Sequence, residues 1–156
     1  MRIKIVWVGK TRNPQIAALA TDYLERVRHM IPCEIREARD PARGRDLKGD
    51  DLRAAEAGQL LKLTEGLNRI VVLDERGKQF SSPEFAHWLE GEQDRGTRDL
   101  AFVIGGPEGV DSAVSARAAL SLSLGRMTWT HEFCRVLLLE QIYRAFSILK
   151  NIPYHK

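Results

Sequence analysis

Cysteine is scarce in this chain: Cys33 and Cys134 are the only two among 156 residues. Two thiols so far apart make neither a disulfide framework nor a zinc site, so both are expected to be reduced and mostly buried. The four histidines, His29, His87, His131 and His155, lack metal-ligand spacing, and no structural metal is expected. No apolar run reaches membrane-spanning length. Residues 1–8 are too short for a signal peptide and lack a small-residue cleavage site, so a cytoplasmic protein is expected. Internal repeats, low-complexity tracts and linkers are missing too, which leaves one domain over residues 1–156. The charge excess is small. A net charge of +3 permits a polyanionic partner without demanding one.

What is present is an alternation of strand-like and helix-like stretches. Residues 3–8 read as a first strand. Asn13-Pro14 supplies a helix cap and a first-turn proline, and Ile16, Leu19, Ala20, Tyr23, Leu24 and Val27 follow at helical spacing. Residues 33–37 suit a second strand, and a polar stretch then precedes a helix over about 51–63. The β-branched run at 69–74 predicts a buried strand. Ser81 and Glu84 form a capping-box pattern for the next helix. Residues 100–104 predict another buried strand that runs straight into a glycine turn. A short helix capped by Asp111 to about 119, a strand near 120–124 and a long helix over about 131–150 complete the reading. Strands separated by helices imply an α/β fold with a mainly parallel sheet flanked by helices. Such sheets bind ligands beyond the carboxyl ends of their strands, which singles out the turns after Leu73 and Ile104.

Five features carry possible chemistry. In Ile104-Gly105-Gly106-Pro107-Glu108-Gly109, glycines after a buried strand let the backbone approach a ligand closely. The spacing is neither a dinucleotide fingerprint nor a P-loop, so a structural turn stays open on pattern alone. In residues 121–129, small and apolar residues alternate before Gly125, which suits a loop enclosing an apolar ring or a final strand and turn. The last helix carries a polar stripe of Glu140, Arg144 and Ser147 on an otherwise wide apolar arc, wide enough to bury against the sheet and a second subunit. Arg135 sits inside that arc and in the first helical turn, where a cation opposes the helix dipole. A residue that breaks two local rules points to function, against a stem that packs while its head snorkels to water. The end of the chain joins Tyr154, His155, Lys150 and Lys156, a set able to stack on a base and neutralise phosphate. Arg36, Arg39, Arg43, Arg45 and Lys48, interleaved with acids, form either a solvated face or a backbone clamp.

Taken together, the chain resembles the ribosomal RNA large-subunit methyltransferase H family of the SPOUT class, from Val8-Gly9-Lys10 to Pro153-Tyr154-His155-Lys156. The most specific parts are the 104–109 turn, Arg126-Met127-Thr128 and Glu140-Gln141-Ile142-Tyr143-Arg144-Ala145-Phe146. The resemblance implies a SPOUT fold whose C-terminal part forms a deep trefoil knot, a homodimer, and S-adenosylmethionine as cofactor. By the same resemblance the cofactor residues are Leu73, Gly105, Leu124, Gly125, Arg126, Met127, Thr128 and Trp129. The implied substrate is a pseudouridine in the helix-69 stem-loop of 23S rRNA, methylated at N3 on the assembled ribosome. Where the family pattern has Pro-His before the last helix, this chain has Thr130-His131, and Thr130 is expected to cap instead. Arg135 is the candidate to hold developing negative charge or a phosphate, and Tyr154 and His155 to contact the target base, from the other subunit. The competing classes are a non-enzymatic RNA- or ribosome-binding module and a flavodoxin-like nucleotide-binding domain.

Overall fold

The computed structural model describes residues 1–154. β1 (Arg2–Val8) leads to α1 (Pro14–Arg28), which is set by the Asn13 side chain accepting from the amides of Gln15 and Ile16. β2 (Cys33–Ala38), α2 (Gly49–Leu63), β3 (Arg69–Gln79), α3 (Ser82–Asp94) and β4 (Asp99–Ile104) follow. The one-turn α4 (Ser112–Ser115), β5 (Leu120–Ser123) and the long α5 (His131–Leu149) complete the order. The Ser81–Glu84 capping box forms as expected, and Thr130 caps α5 by accepting from the Phe133 amide.

The five strands pair in parallel in the order β2-β1-β4-β3-β5. β4 is buried along its whole length, which is why it reads as an unbroken apolar run. Alternation divides the core between the two faces. Ile3, Ile5, Trp7, Leu100 and Phe102 pack with α1, α3 and α5, whereas Val6, Val8, Ala101 and Val103 pack with α2 and α4. The fold is therefore the expected α/β sandwich. α5 uses much of its wide arc against α1, α3 and the sheet, while Phe133 and, on α1, Leu19 stay exposed. Among the described residues no helix is long and apolar enough to cross a membrane.

Two expectations need correction. The helix after Asp111 stops at Ser115 rather than near 119. Its continuation loses to the sheet: the Ala119 amide donates to the Ile70 carbonyl at 2.8 Å. β3 continues to Gln79 instead of ending at 74. Leu73 and Lys78 both register with Leu122 of β5, so residues 74–77 loop out of the ladder as a bulge. Gly77 closes the bulge where a Cβ would lie 2.7 Å from the Ser121 and Leu122 backbone.

Candidate active site

Because the strands are parallel, the carboxyl ends of β3, β4 and β5 share one edge of the sheet. The segments leaving them surround a cleft of about 660 Å³, within the range of small-molecule sites. Three walls can be told apart. The first is Leu73 with the bulge residues Asp74, Glu75 and Arg76. Hydrogen bonds from the Arg76 side chain and amide hold the Asp74 carboxyl below the usual carboxylate range.

The second wall is the glycine turn after β4. A Cβ on Gly105 would lie 2.6 Å from the Gly109 carbonyl oxygen and 2.7 Å from Val110, so the turn closes this tightly only on glycine. A Cβ on Gly106 would collide with the carboxyl of Glu56 on α2. Glu56 is buried and accepts from the Gly106 amide, and its Oε2 has no partner among the described residues. Burial raises its pKa, the nearby Asp40 and Glu108 add to the rise, and the Gly106 amide opposes it. Glu56 thus buttresses the turn from beneath.

The third wall is the loop from β5 to α5. Leu124, Gly125, Met127, Thr128 and Trp129 line the cleft; Arg126 is exposed and does not. Ser123 Oγ donates to the Gly125 carbonyl at 2.7 Å, and Gly125 takes φ +145°, a conformation that side chains disfavour. Thr128 Oγ1 donates to Glu75 Oε2 at 2.8 Å, which ties this loop to the β3 bulge. The first turn of α5 adds His131 and Cys134 to the lining. Burial lowers the His131 pKa, and the Arg135 charge lowers it further, so the imidazole is neutral at neutral pH.

Arg135 lies elsewhere. It is 1% exposed, and its two terminal nitrogens donate to the Val8 carbonyl and to Thr11 Oγ1, each at 2.7 Å. Its guanidinium carbon stands 4.7 Å from the centre of the Trp7 ring. The head neither snorkels to water nor lines the cleft. The guanidinium fastens α5 to the end of β1 and to the loop before α1. Glu132 strengthens that junction by accepting from the Arg12 and Asn13 amides at 2.8 and 3.2 Å.

The structure therefore joins Leu73, Gly105, Leu124, Gly125, Met127, Thr128 and Trp129 in one cleft and leaves Arg126 and Arg135 outside its lining. Tyr154 is also outside it and packs against α1 and α5. His155 lies outside the described residues. Arg39, Arg43 and Arg45 are exposed and form no ion pair with the described residues, whereas Lys48 pairs with Asp46. Sequence reasoning missed Arg53 of α2 and His131 in the cleft lining, and Glu56 beneath the glycine turn. A signal for Glu56 was available: it sits between Leu52 and Leu60 on a buried helical stripe, where an acid is out of place.

Two outcomes follow from this geometry. Arg135→Ala strands the Val8 carbonyl and the Thr11 hydroxyl, and should lower stability in urea denaturation by about 3 kcal/mol. A loss below about 0.5 kcal/mol would contradict the anchoring role. His131 titrates below the usual 6.5, so the unfolded chain binds more protons in the window between the two pKa values. Stability should fall as the pH drops below 6.5, and His131→Asn should flatten that fall. An unchanged slope would remove His131 as its source.

Residues 1–155 match the family model described as a predicted SPOUT methyltransferase. Two proteins named ribosomal RNA large subunit methyltransferase H are similar over 155 residues, with 99% of each chain covered. That of Geobacter sp. (strain M21) is 44% identical and that of Geotalea daltonii 43%. Two solved structures share the fold. One is a probable methylase family protein from Haemophilus influenzae, with a TM-score of 0.58 and 13% identity over 99% of this chain and 70% of that one. The other is a probable methyltransferase from Bordetella pertussis, with a TM-score of 0.57 and 12% identity over 93% and 96% of the two chains. With a cleft at the carboxyl edge of its parallel sheet and a family match along nearly its whole length, the chain belongs to the SPOUT methyltransferase family.

Proposed function

We propose that this protein uses S-adenosylmethionine to methylate N3 of a pseudouridine in the helix-69 stem-loop of 23S rRNA on the assembled ribosome. The observation that carries the reading is the cleft itself, which has the volume of a cofactor site and a glycine wall too tight for any side chain. The lining suits the cofactor. Leu73, Leu122, Leu124 and Trp129 offer apolar surface for an adenine ring, and the turns at 105–109 and 124–129 offer backbone polar groups. Arg126 belongs to the same loop and contributes through its backbone in this reading.

S-adenosylmethionine supplies an electrophilic methyl group on sulfur. The chain's part is to align the nucleophile with it and to exclude water. The imide N3 must also shed a proton as the bond forms. Among the cleft-lining side chains, the neutral imidazole of His131 and the carboxylates of Asp74, Glu75 and Glu108 are able to take it. In this reading the tail that carries Tyr154 and His155 reaches the target base from the second subunit of a homodimer. Exposed Leu19, Phe133, Trp129 and Met127 give that dimer its apolar surface. The family's trefoil knot, with the C-terminal segment threaded beneath the cofactor loops, belongs to the same reading. Arg39, Arg43 and Arg45 bind RNA phosphates, since no carboxylate among the described residues holds them.

The test is methyl incorporation into ribosomes from cells lacking the modification, followed by mapping of the modified base. Incorporation at N3 of one helix-69 pseudouridine is expected. A folded protein that binds no S-adenosylmethionine would favour a non-enzymatic RNA-binding module. Replacing Arg39, Arg43 and Arg45 with alanine should make the salt dependence of RNA binding shallower by about 2 in log–log slope. An unchanged slope would take that loop out of the interface.

A further inference from the structure

The polar stripe of α5 has no part in the cleft, yet its side chains are fully engaged. α5 ends in a left-handed turn: Asn151 takes φ +54°, the Asn151 amide donates to the Ile148 carbonyl, and the Ile152 amide donates to the Ser147 carbonyl. This paired capping turns the chain back along the helix, and Tyr154 lands on Glu140, Tyr143 and Arg144, about three to four turns earlier. Its hydroxyl donates to Glu140 Oε1 at 3.2 Å and accepts from the Tyr23 hydroxyl at 3.1 Å. The same Glu140 oxygen accepts Arg144 Nε and Nη2 at 2.9 and 2.6 Å, and Gln141 Nε2 fills Oε2 at 2.7 Å. The Arg144 guanidinium carbon stands 4.9 Å from the centre of the Tyr154 ring, and Tyr143 meets that ring edge-on at 4.7 Å. A phenol on a chain end is normally free in water. This one is gripped on its hydroxyl, face and edge.

We propose that Tyr23, Glu140 and Arg144 form a socket that grips Tyr154 and thereby holds the turn after α5 in place for contact with the RNA. Glu140 is the centre of the socket and a positioning residue. The inference rests on the reading that the tail contacts RNA. Burial, the Tyr23 hydrogen bond and the Glu140 charge push the Tyr154 phenol up, so its hydroxyl stays protonated and keeps donating. The Glu140–Arg144 pair is half-shielded, with side chains 16% and 28% exposed, so it holds its geometry better than an open surface pair.

Two readouts test the socket on the full-length protein. The first, independent of RNA, is the rate of trypsin cleavage after Lys150, which requires the tail turn to open. Glu140→Ala and Tyr154→Phe should each raise that rate several-fold. The double variant should do no more than either single change, because the pair acts as a unit. Glu140→Gln keeps an acceptor and should recover part of the protection. The second readout is methyl transfer to ribosomes. The socket variants should raise KM for ribosomes more than they lower kcat, with S-adenosylmethionine affinity unchanged. Tyr23→Phe removes one hydroxyl and serves where Glu140→Ala folds poorly. Unchanged cleavage in Tyr154→Phe and Tyr23→Phe, or additive effects in the double variant, overturns the socket. Faster cleavage with unaltered ribosome kinetics shows that the tail is gripped but does not read RNA, which overturns the positioning role. If Tyr154→Ala abolishes methylation while Glu140→Ala changes neither readout, the tail's role in RNA recognition stands and the socket falls.

Discussion

A guanidinium taken out of water must find acceptors, and Arg135 finds two, one at the end of β1 and one in the loop just beyond it. Its bonds to the Val8 carbonyl and the Thr11 hydroxyl hold the second turn of α5 against the end of β1. Burial works against the charge and pulls the Arg135 pKa down, and Nε keeps no partner among the described residues. An aliphatic residue would fill the volume without that desolvation. It could not satisfy the Val8 carbonyl or reach the Thr11 loop, so the cation supplies an attachment that packing alone lacks. The loop from β5 that lines the cleft ends on α5, and Glu132 of the same helix start ties down the α1 cap.

The cleft takes its shape from close approaches of backbone. Gly105 admits no Cβ, Gly106 sits on the Glu56 carboxyl, and Gly77 lets the β3 bulge press on β5. The Thr128–Glu75 bond then joins the bulge to the last loop. Such a site is suited to holding a cofactor and aligning it, which is most of what methyl transfer asks of a protein. In the proposed reading, RNA recognition belongs to the periphery, where Arg39, Arg43 and Arg45 lie exposed and Tyr154 is gripped outside the cleft.

Much of this was legible in the sequence because local rules and tertiary demands agree. Asn13, Ser81 and Thr130 cap where their side chains allow, and β4 reads as buried because both of its faces are covered. The reading failed where a long-range partner decided the outcome. The Ala119 amide chose the Ile70 carbonyl over another helical turn, and β3 resumed pairing after Gly77 because β5 was there to receive it. Arg135 was visible as an anomaly, but its direction was not. A cation in an apolar arc can face a substrate or a stranded carbonyl, and the Val8 carbonyl lies 127 residues away. Glu56 broke the same rule and went unread. The glycines marked the turn after β4 as a close approach, while its reading as a cofactor wall came from the family resemblance.

The central claim is that the three strand ends of the sheet's carboxyl edge form one seat for S-adenosylmethionine. Titrating the isotopically labelled protein with S-adenosylmethionine and following its backbone amides by NMR tests this most directly. The account predicts that Leu73, Gly105, Gly106, Gly109 and Gly125 shift together and saturate with a single dissociation constant, while the amides of β2 stay still. Shifts confined to another part of the molecule, or none at saturating cofactor, would contradict it.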